Sequence, residues 1–173
     1  MSNPYDELKQ RVGAFHDRVS ERHPGALTCH SGCSSCCERH LSVMTLEWAP
    51  MAEAIDDLDE DEKTAIRARL EAGRADPRCP LLNDAGRCRV YDARPMICRS
   101  HGLPIQVGEP PKRDVCPLNF PEGPSVETLD PEVVLDVNRL NATVGLISQL
   151  TGLPPEDRVD LFDGLEALLG EPG

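Results

Sequence analysis

The sequence predicts a mainly α-helical single domain, residues 1–173, with a small β-hairpin and a cysteine-rich centre that binds metal. Three observations lead to this prediction. Apolar residues recur at helical spacing within residues 1–25 and again within 130–170. All eight cysteines lie in the intervening region, residues 26–120. The length of 173 residues suits one domain. We expect the terminal amphipathic helices to clamp the cysteine-rich centre.

The first three predicted helices precede the second group of cysteines. Helix one ends at residues 23–25, where His-Pro-Gly breaks the pattern. Thr45 can cap helix two, in which Pro50 predicts a kink or a late start. The acidic run 56–62 lacks the central glycine of a calcium loop, so it predicts a solvated turn and the negative first turn of a helix over 63–72. The apolar stripe of helix one consists of Tyr5, Leu8, Val12, Phe15 and Val19.

The middle of the chain predicts short elements. Residues 40–44 can form an extended segment. Apolar residues flank the turn-forming sequence Asn-Asp-Ala-Gly at 83–86, which predicts the hairpin. A short helix beginning near Pro95 carries Cys98. The prolines in residues 104–116 predict an irregular loop.

The last third of the chain predicts two helices and contains no cysteine. The first begins after Pro131 and stops at Gly152. Its apolar positions are Val133, Val137, Leu140, Val144 and Ile147. Pro155 opens the second, whose apolar positions are Val159, Phe162, Leu165 and Leu169.

The net charge of -12 disfavours nucleic acid and anionic membranes as partners, because both require a basic surface. The N-terminus carries no apolar signal region, and no run approaches the roughly 20 apolar residues of a membrane span. These features predict a cytoplasmic protein, in which thiols stay reduced. The cysteines are therefore expected to be metal ligands rather than disulfide partners.

The first cysteine group follows the pattern C-x3-C-x2-C-C, which places four thiols within nine residues. Sulfurs this close in sequence can converge on one metal. Side chains of adjacent residues in an extended segment point apart, so Cys36 and Cys37 would serve two neighbouring sites, or one would be a buried thiol. Eight thiols can form two four-coordinate sites, or one site with bystanders. The predicted metal ligands are Cys29, Cys33, Cys36, Cys37, Cys79, Cys88, Cys98 and Cys116.

Thiolates suit both zinc and iron. Cys79 and Cys116 are each followed by proline, as in ferredoxin cluster ligation. Iron or an iron–sulfur cluster is therefore the preferred cofactor, and zinc is the alternative. The C-x3-C-x2-C spacing also occurs in radical-SAM enzymes, but this chain is too short for their barrel and has no strand before the motif. Four arginines are positioned to offset the charge of a thiolate site: Arg87, Arg89, Arg94 and Arg99.

Two histidines have ligand-like spacing, since His40 and His101 each follow a cysteine by three positions. A structural or exposed role is the default expectation for both. An alternative function is a metal-dependent or iron–sulfur enzyme, an oxidoreductase or a modification enzyme, with an open coordination position. Its only candidate acid–base residues are His101, Glu38 and Asp92.

Four motifs together resemble the CxxCxxCC, or YkgJ-like, family of proposed zinc- or iron-chelating domains. They are the first cysteine group, then C-P-L-L from Cys79, G-R-C-x-V-Y from Gly86, and R-P-x2-C-R from Arg94. The resemblance spans about residues 29–116 and implies metal chelation. Related cysteine blocks in flagellin lysine methylases imply that such a cluster can sit within an enzyme. Here the first gap is x3 where the family name has x2, and His101 stands where an aromatic residue is expected.

Overall fold

The computed structural model describes residues 3–170, which contain six α-helices and five short β-strands. The helices are α1 (Pro4–Arg22), α2 (Thr45–Asp56), α3 (Glu60–Glu71), α4 (Met96–Ser100), α5 (Val137–Leu150) and α6 (Leu161–Leu169). The strands are β1 (Ser42–Met44), β2 (Ile105–Val107), β3 (Lys112–Asp114), β4 (Leu135–Asp136) and β5 (Arg158–Asp160). The described residues divide into two compact units: unit 1 contains residues 3–30 and 96–155, and unit 2 contains 31–95 and 156–170. About half of the described residues are helical when the 3-10 turns are included, so the predicted predominance of helices over strands is confirmed.

In unit 1, α1 follows the predicted stripe. The Asn3 side chain accepts a hydrogen bond from the backbone N–H of Tyr5, which satisfies an unpaired donor at the helix start. Tyr5, Val12 and Val19 are buried. The helix ends before His23, as the sequence predicted.

The three-stranded sheet of unit 1 has the order β3-β2-β4. Strand β2 runs antiparallel to β3, with Ile105 opposite Asp114, and parallel to β4, with Ile105 opposite Leu135. The β2–β3 hairpin occupies residues for which an irregular loop was predicted, and that prediction is wrong. Pro110 and Pro111 lie in the connecting turn, so they remove no donor from the strand pairing.

Helix α5 begins at Val137, later than predicted, because residues 131–133 form a separate 3-10 turn. Asp136 caps α5 by accepting a hydrogen bond from the backbone N–H of Arg139 at 2.9 Å. Val133 is fully buried, but it lies in the 3-10 turn rather than on the helix. The apolar core of unit 1 consists of Val19, Leu103, Leu129, Val133 and Val134.

In unit 2, β1 pairs antiparallel with β5, with Val43 opposite Val159. The predicted extended segment at 40–44 is thus present as β1. Helix α2 follows at once and begins at Thr45, so the predicted late start is wrong. Thr45 is the first helical residue rather than the cap, because Met44 occupies the cap position. Pro50 lies inside the helix and leaves one carbonyl of the first turn without its helical donor.

Helix α3 begins at Glu60, and the Asp59 side chain caps it by accepting from the backbone N–H of Glu62. Its acidic first turn agrees with the predicted helix-dipole role. Helix α6 begins at Leu161 rather than at Pro155, because Asp160 supplies its cap. The apolar core of unit 2 consists of Val43, Met51, Ile55, Ile66, Leu70, Leu81, Val90, Leu161, Phe162, Leu165 and Leu169.

Candidate metal centre

The eight predicted ligands all lie within the described residues, and no disulfide joins any of them. Unit 1 carries three of the cysteines and unit 2 carries five. Cys29 is exposed, whereas the other seven are partly buried. The unit 1 thiols belong to Cys29, Cys98 and Cys116. The unit 2 thiols belong to Cys33, Cys36, Cys37, Cys79 and Cys88.

Cys36 and Cys37 lie in a 3-10 turn, Ser35–Cys37, and not in the extended segment that their sequence reading assumed. The turn brings their Sγ atoms to 3.9 Å from each other. Two thiolates on one tetrahedral ion, each about 2.3 Å from the metal, lie about 3.8 Å apart. The two sulfurs therefore have the spacing of two ligands of the same ion.

Cys79 is joined to the first cysteine group through the backbone. Its N–H donates a hydrogen bond to the Cys37 carbonyl at 2.8 Å. Cys88 is linked to the segment after Cys79 across the adjoining turn, because Leu82 and Cys88 form an antiparallel β-bridge. A hairpin was predicted around residues 83–86. The described residues there form this single bridge and no strand. Three cysteine-bearing segments of unit 2 are thus tied together by main-chain hydrogen bonds.

Close packing of two glycines holds the first cysteine loop against the 83–86 turn. Gly86 has a φ of +70°, and a Cβ there would lie 2.8 Å from the Gly32 carbonyl oxygen. Gly32 has a φ of +94°, and its Cβ would lie 3.2 Å from the Ala85 carbonyl oxygen. Both positions favour glycine for their positive φ, and Gly86 also requires it for space.

In unit 2, the pKa values of three thiols are raised, which favours their protonated forms. A hydrogen bond with Cys37, together with burial, raises the pKa of Cys36 far above its usual range. Burial raises the pKa of the Cys79 thiol to about 11 and also raises the pKa of Cys88. A metal that binds these sulfurs must therefore displace protons.

Arginines oppose this effect at each of the three shifted thiols. Arg94 favours the thiolate of Cys88, as the sequence predicted. The positive charge of Arg39 likewise acts to lower the pKa of Cys36, and that of Arg69 acts to lower the pKa of Cys79. Neither arginine was predicted. Arg89 instead forms an ion pair with Glu62.

In unit 1, the buried side chain of Asn119 contacts Cys29. Its Nδ2 lies 3.5 Å from Cys29 Sγ and donates to the Gly102 carbonyl at 2.6 Å. Its Oδ1 accepts from the backbone N–H of Thr28 at 2.9 Å. The sequence reasoning missed Asn119; its place three residues after Cys116, in a proline-containing turn, was the available signal.

The part of the chain that carries the cysteines matches a known family model. The family model CxxCxxCC, described as a proposed zinc- or iron-chelating domain, matches residues 28–116. The chain belongs to the CxxCxxCC family. The match covers about half of the chain and includes every cysteine. No curated protein and no solved structure matches this chain.

In this CxxCxxCC protein, the four residues predicted as possible ligands or acid–base groups are exposed: His40, His101, Glu38 and Asp92. The Nε2 atom of His40 is 3.0 Å from the Arg74 carbonyl oxygen, which gives this ring a structural contact. His101 directly follows α4, Glu38 ends the 3-10 turn after Cys37, and Asp92 lies in the 3-10 turn Tyr91–Ala93. Their metal-binding or catalytic roles stay hypotheses.

The donor chemistry of unit 2 fits the metals that the CxxCxxCC description names. Thiolates are soft ligands suited to zinc and iron, and the Cys36–Cys37 pair has the spacing of ligands on one ion. Within residues 3–170, no three Cys, His, Asp or Glu side chains converge closely enough to form a complete site. Each cysteine sulfur is positioned by a single torsion, χ1.

None of the six helices in the described residues combines the length and the hydropathy that crossing a bilayer requires.

Proposed function

We propose that this protein chelates iron or zinc through its cysteines and uses the centre for structure, electron transfer or metal handling. Iron, alone or in an iron–sulfur cluster, is the preferred metal, and zinc is the alternative. The observation that carries the proposal is the separation of 3.9 Å between Cys36 Sγ and Cys37 Sγ. The proposed ligands are Cys29, Cys33, Cys36, Cys37, Cys79, Cys88, Cys98 and Cys116.

The same distance favours some metal centres over others. In a four-iron cluster held by four cysteines, each iron takes one thiolate, whereas in a two-iron cluster each iron takes two. Two sulfurs separated as closely as those of Cys36 and Cys37 suit a shared ion. A mononuclear iron or zinc site, or a two-iron cluster, is therefore favoured over a four-iron cluster.

Unit 2 contains enough thiols for four-coordination. The Cys36–Cys37 turn would supply two ligands, and Cys79 and Cys88 would supply two more from segments already linked to it by main-chain hydrogen bonds. Cys33 is a fifth thiol in the same loop. When bound, the metal would supply a cross-link between segments far apart in sequence, and thiolate–zinc sites in peptides contribute roughly 10–16 kcal/mol.

The chain's own residues would prepare the thiols for this role. Three arginines, Arg39, Arg69 and Arg94, favour the thiolate forms. The glycine contacts between residues 32 and 86 hold the first cysteine loop beside the turn that precedes Cys88. A reducing compartment such as the cytoplasm would keep the thiols available.

Anaerobic purification, followed by metal and acid-labile sulfide analysis and a visible spectrum, tests the proposal. We expect at least one iron or zinc ion per chain. Colour with labile sulfide would identify an iron–sulfur cluster, colour without sulfide would identify iron bound by thiolates, and a colourless zinc-loaded protein would overturn the preference for iron. Purified protein without metal that also fails to take up either ion would refute chelation.

A further inference from the structure

We propose that Asn119 is a positioning residue for metal binding, which holds the Cys29 sulfur and gathers the three cysteine-bearing segments of unit 1. This inference rests on the proposed function. Asn119 is only 4% exposed, although Cys29 is exposed. A buried amide must satisfy its hydrogen-bonding groups, and Asn119 does so entirely with these segments.

The orientation of the amide is fixed by its partners. The Gly102 carbonyl can only accept, and it lies 2.6 Å from Nδ2. The Thr28 backbone N–H can only donate, and it lies 2.9 Å from Oδ1. The remaining Nδ2 proton is therefore available to Cys29 Sγ, which lies 3.5 Å away.

The same residue reaches all three thiol-bearing segments. Cys29 is adjacent to Thr28, whose backbone and hydroxyl both bond to Asn119 Oδ1. Gly102 lies four residues after Cys98, just beyond α4. The backbone N–H of Asn119 donates to the Cys116 carbonyl at 2.8 Å, closing the turn that carries the third cysteine.

The backbone leaves room for the sulfur. Gly102 has a φ of +92°, and a Cβ there would lie 2.8 Å from Cys29 Sγ and 3.2 Å from Asn119 Nδ2. Any side chain at this position would displace the thiol. Glycine is thus required both for the backbone conformation and for the sulfur beside it.

The turn that presents Asn119 is held in an uncommon conformation. Phe120 has a φ of +55°, which non-glycine residues adopt infrequently. Its backbone N–H donates to the Ala26 carbonyl at 2.7 Å, and its ring packs against His23 with centroids 5.3 Å apart. These contacts fix the residue that follows Asn119 and so restrict where the amide can point.

An N–H donor stabilises a thiolate and limits its rotation, which is how residues behind metal ligands commonly act. Loss of such a partner typically weakens metal affinity by about 10–100-fold. We expect Asn119→Ala to lower affinity by a factor in this range. Asn119→Asp retains the acceptor for Thr28 but removes the N–H donor and adds a negative charge. We expect it to lower metal affinity at least as much as Asn119→Ala does.

The test uses the full chain loaded with NMR-active cadmium alone, a probe of thiolate sites. In the wild type we expect scalar coupling between cadmium and a side-chain Nδ2 proton of Asn119, transmitted through Cys29 Sγ. Both Asn119 variants should shift the cadmium resonance and weaken cadmium binding. Asn141→Asp, which adds the same charge at an exposed position on α5, should change neither.

Thr28→Val separates positioning from stability. It removes the hydroxyl that hydrogen-bonds Asn119 Oδ1 and the Leu118 carbonyl but keeps the Asn119 N–H donor to the sulfur. It should lower the melting temperature while preserving the coupling. Cadmium binding without the coupling, and with unchanged affinity in folded Asn119 variants, would overturn this inference alone. A wild-type chain that binds no cadmium, iron or zinc would overturn the proposed function and this inference together. The coupling needs no variant, so a misfolded variant leaves the test decisive.

Discussion

Replacing Gly86 by alanine should disrupt the docking of the first cysteine loop in unit 2. The substitution places a Cβ 2.8 Å from the Gly32 carbonyl oxygen and 3.1 Å from Ser34 Oγ. Contacts this short force the loop to move, because a backbone carbonyl cannot turn away as a flexible side chain can. The displaced loop carries Cys33, Cys36 and Cys37, so metal binding should weaken along with stability.

The magnitude follows from two separable costs. Gly86 has a φ of +70°, a conformation that costs an L-residue about 1–2 kcal/mol. Overpacking adds about 1–3 kcal/mol. Gly73 provides the matched control, because its φ is +76° but nothing lies within 4 Å of its added Cβ. Gly73→Ala should therefore pay the first cost alone.

The assay is thermal and urea unfolding of both variants, with metal content measured on the same samples. The packing cost should lower the melting temperature of Gly86→Ala by about 2–12 °C beyond that of Gly73→Ala, at about 2–4 °C per kcal/mol for a chain of this size. Gly86→Ala should also hold less metal. Equal stability and equal metal content in the two variants would refute the docking of the loop on the turn.

Three further predictions address the thiols and a helix cap. Cys33→Ser and Cys98→Ser should each lower both bound metal and melting temperature, and unchanged metal in both would exclude these residues as ligands. Metal affinity should rise with pH between about 6 and 9, because binding displaces protons from thiols such as Cys79 and Cys88; calorimetry in buffers of different ionisation enthalpy should detect the released protons, and a pH-independent affinity would contradict this reasoning. Asp160→Ala should cost about 1 kcal/mol through loss of the α6 cap. A hydrogen bond from Arg74, and after it the backbone N–H groups at the start of α6, lower the pKa of Asp160 in the folded protein. The stabilising contribution of this carboxylate should therefore be complete above about pH 5 and decline as the pH falls through that lowered pKa; denaturation midpoints across this range test it.

Local sequence patterns were sufficient to predict α1 and α3. The stripe of α1 and the acidic start of α3 were visible in the sequence, and both helices formed with small shifts at their ends. The starts of α5 and α6 were misplaced, because Asp136 and Asp160 are better caps than the prolines upstream. The β2–β3 hairpin was missed since its prolines were not expected to fall in the turn.

Only part of the candidate site could be predicted from the sequence. Cysteine spacing identified the thiols, but the assumption of an extended chain at Cys36 and Cys37 obscured the 3-10 turn that brings the two sulfurs near each other. Asn119 and Gly102 act on Cys29 through contacts between residues far apart in sequence. The position of Asn119 just after Cys116 marks it as a neighbour of that cysteine, but its contact with Cys29 depends on the fold.

X-ray absorption at the metal edge tests the central claim, thiolate ligation, most directly. The wild-type protein should show a first shell of four sulfurs at about 2.3 Å. Cys36→Ser should replace one of these sulfurs by oxygen or reduce the bound metal. A first shell of nitrogen and oxygen without sulfur would contradict the account.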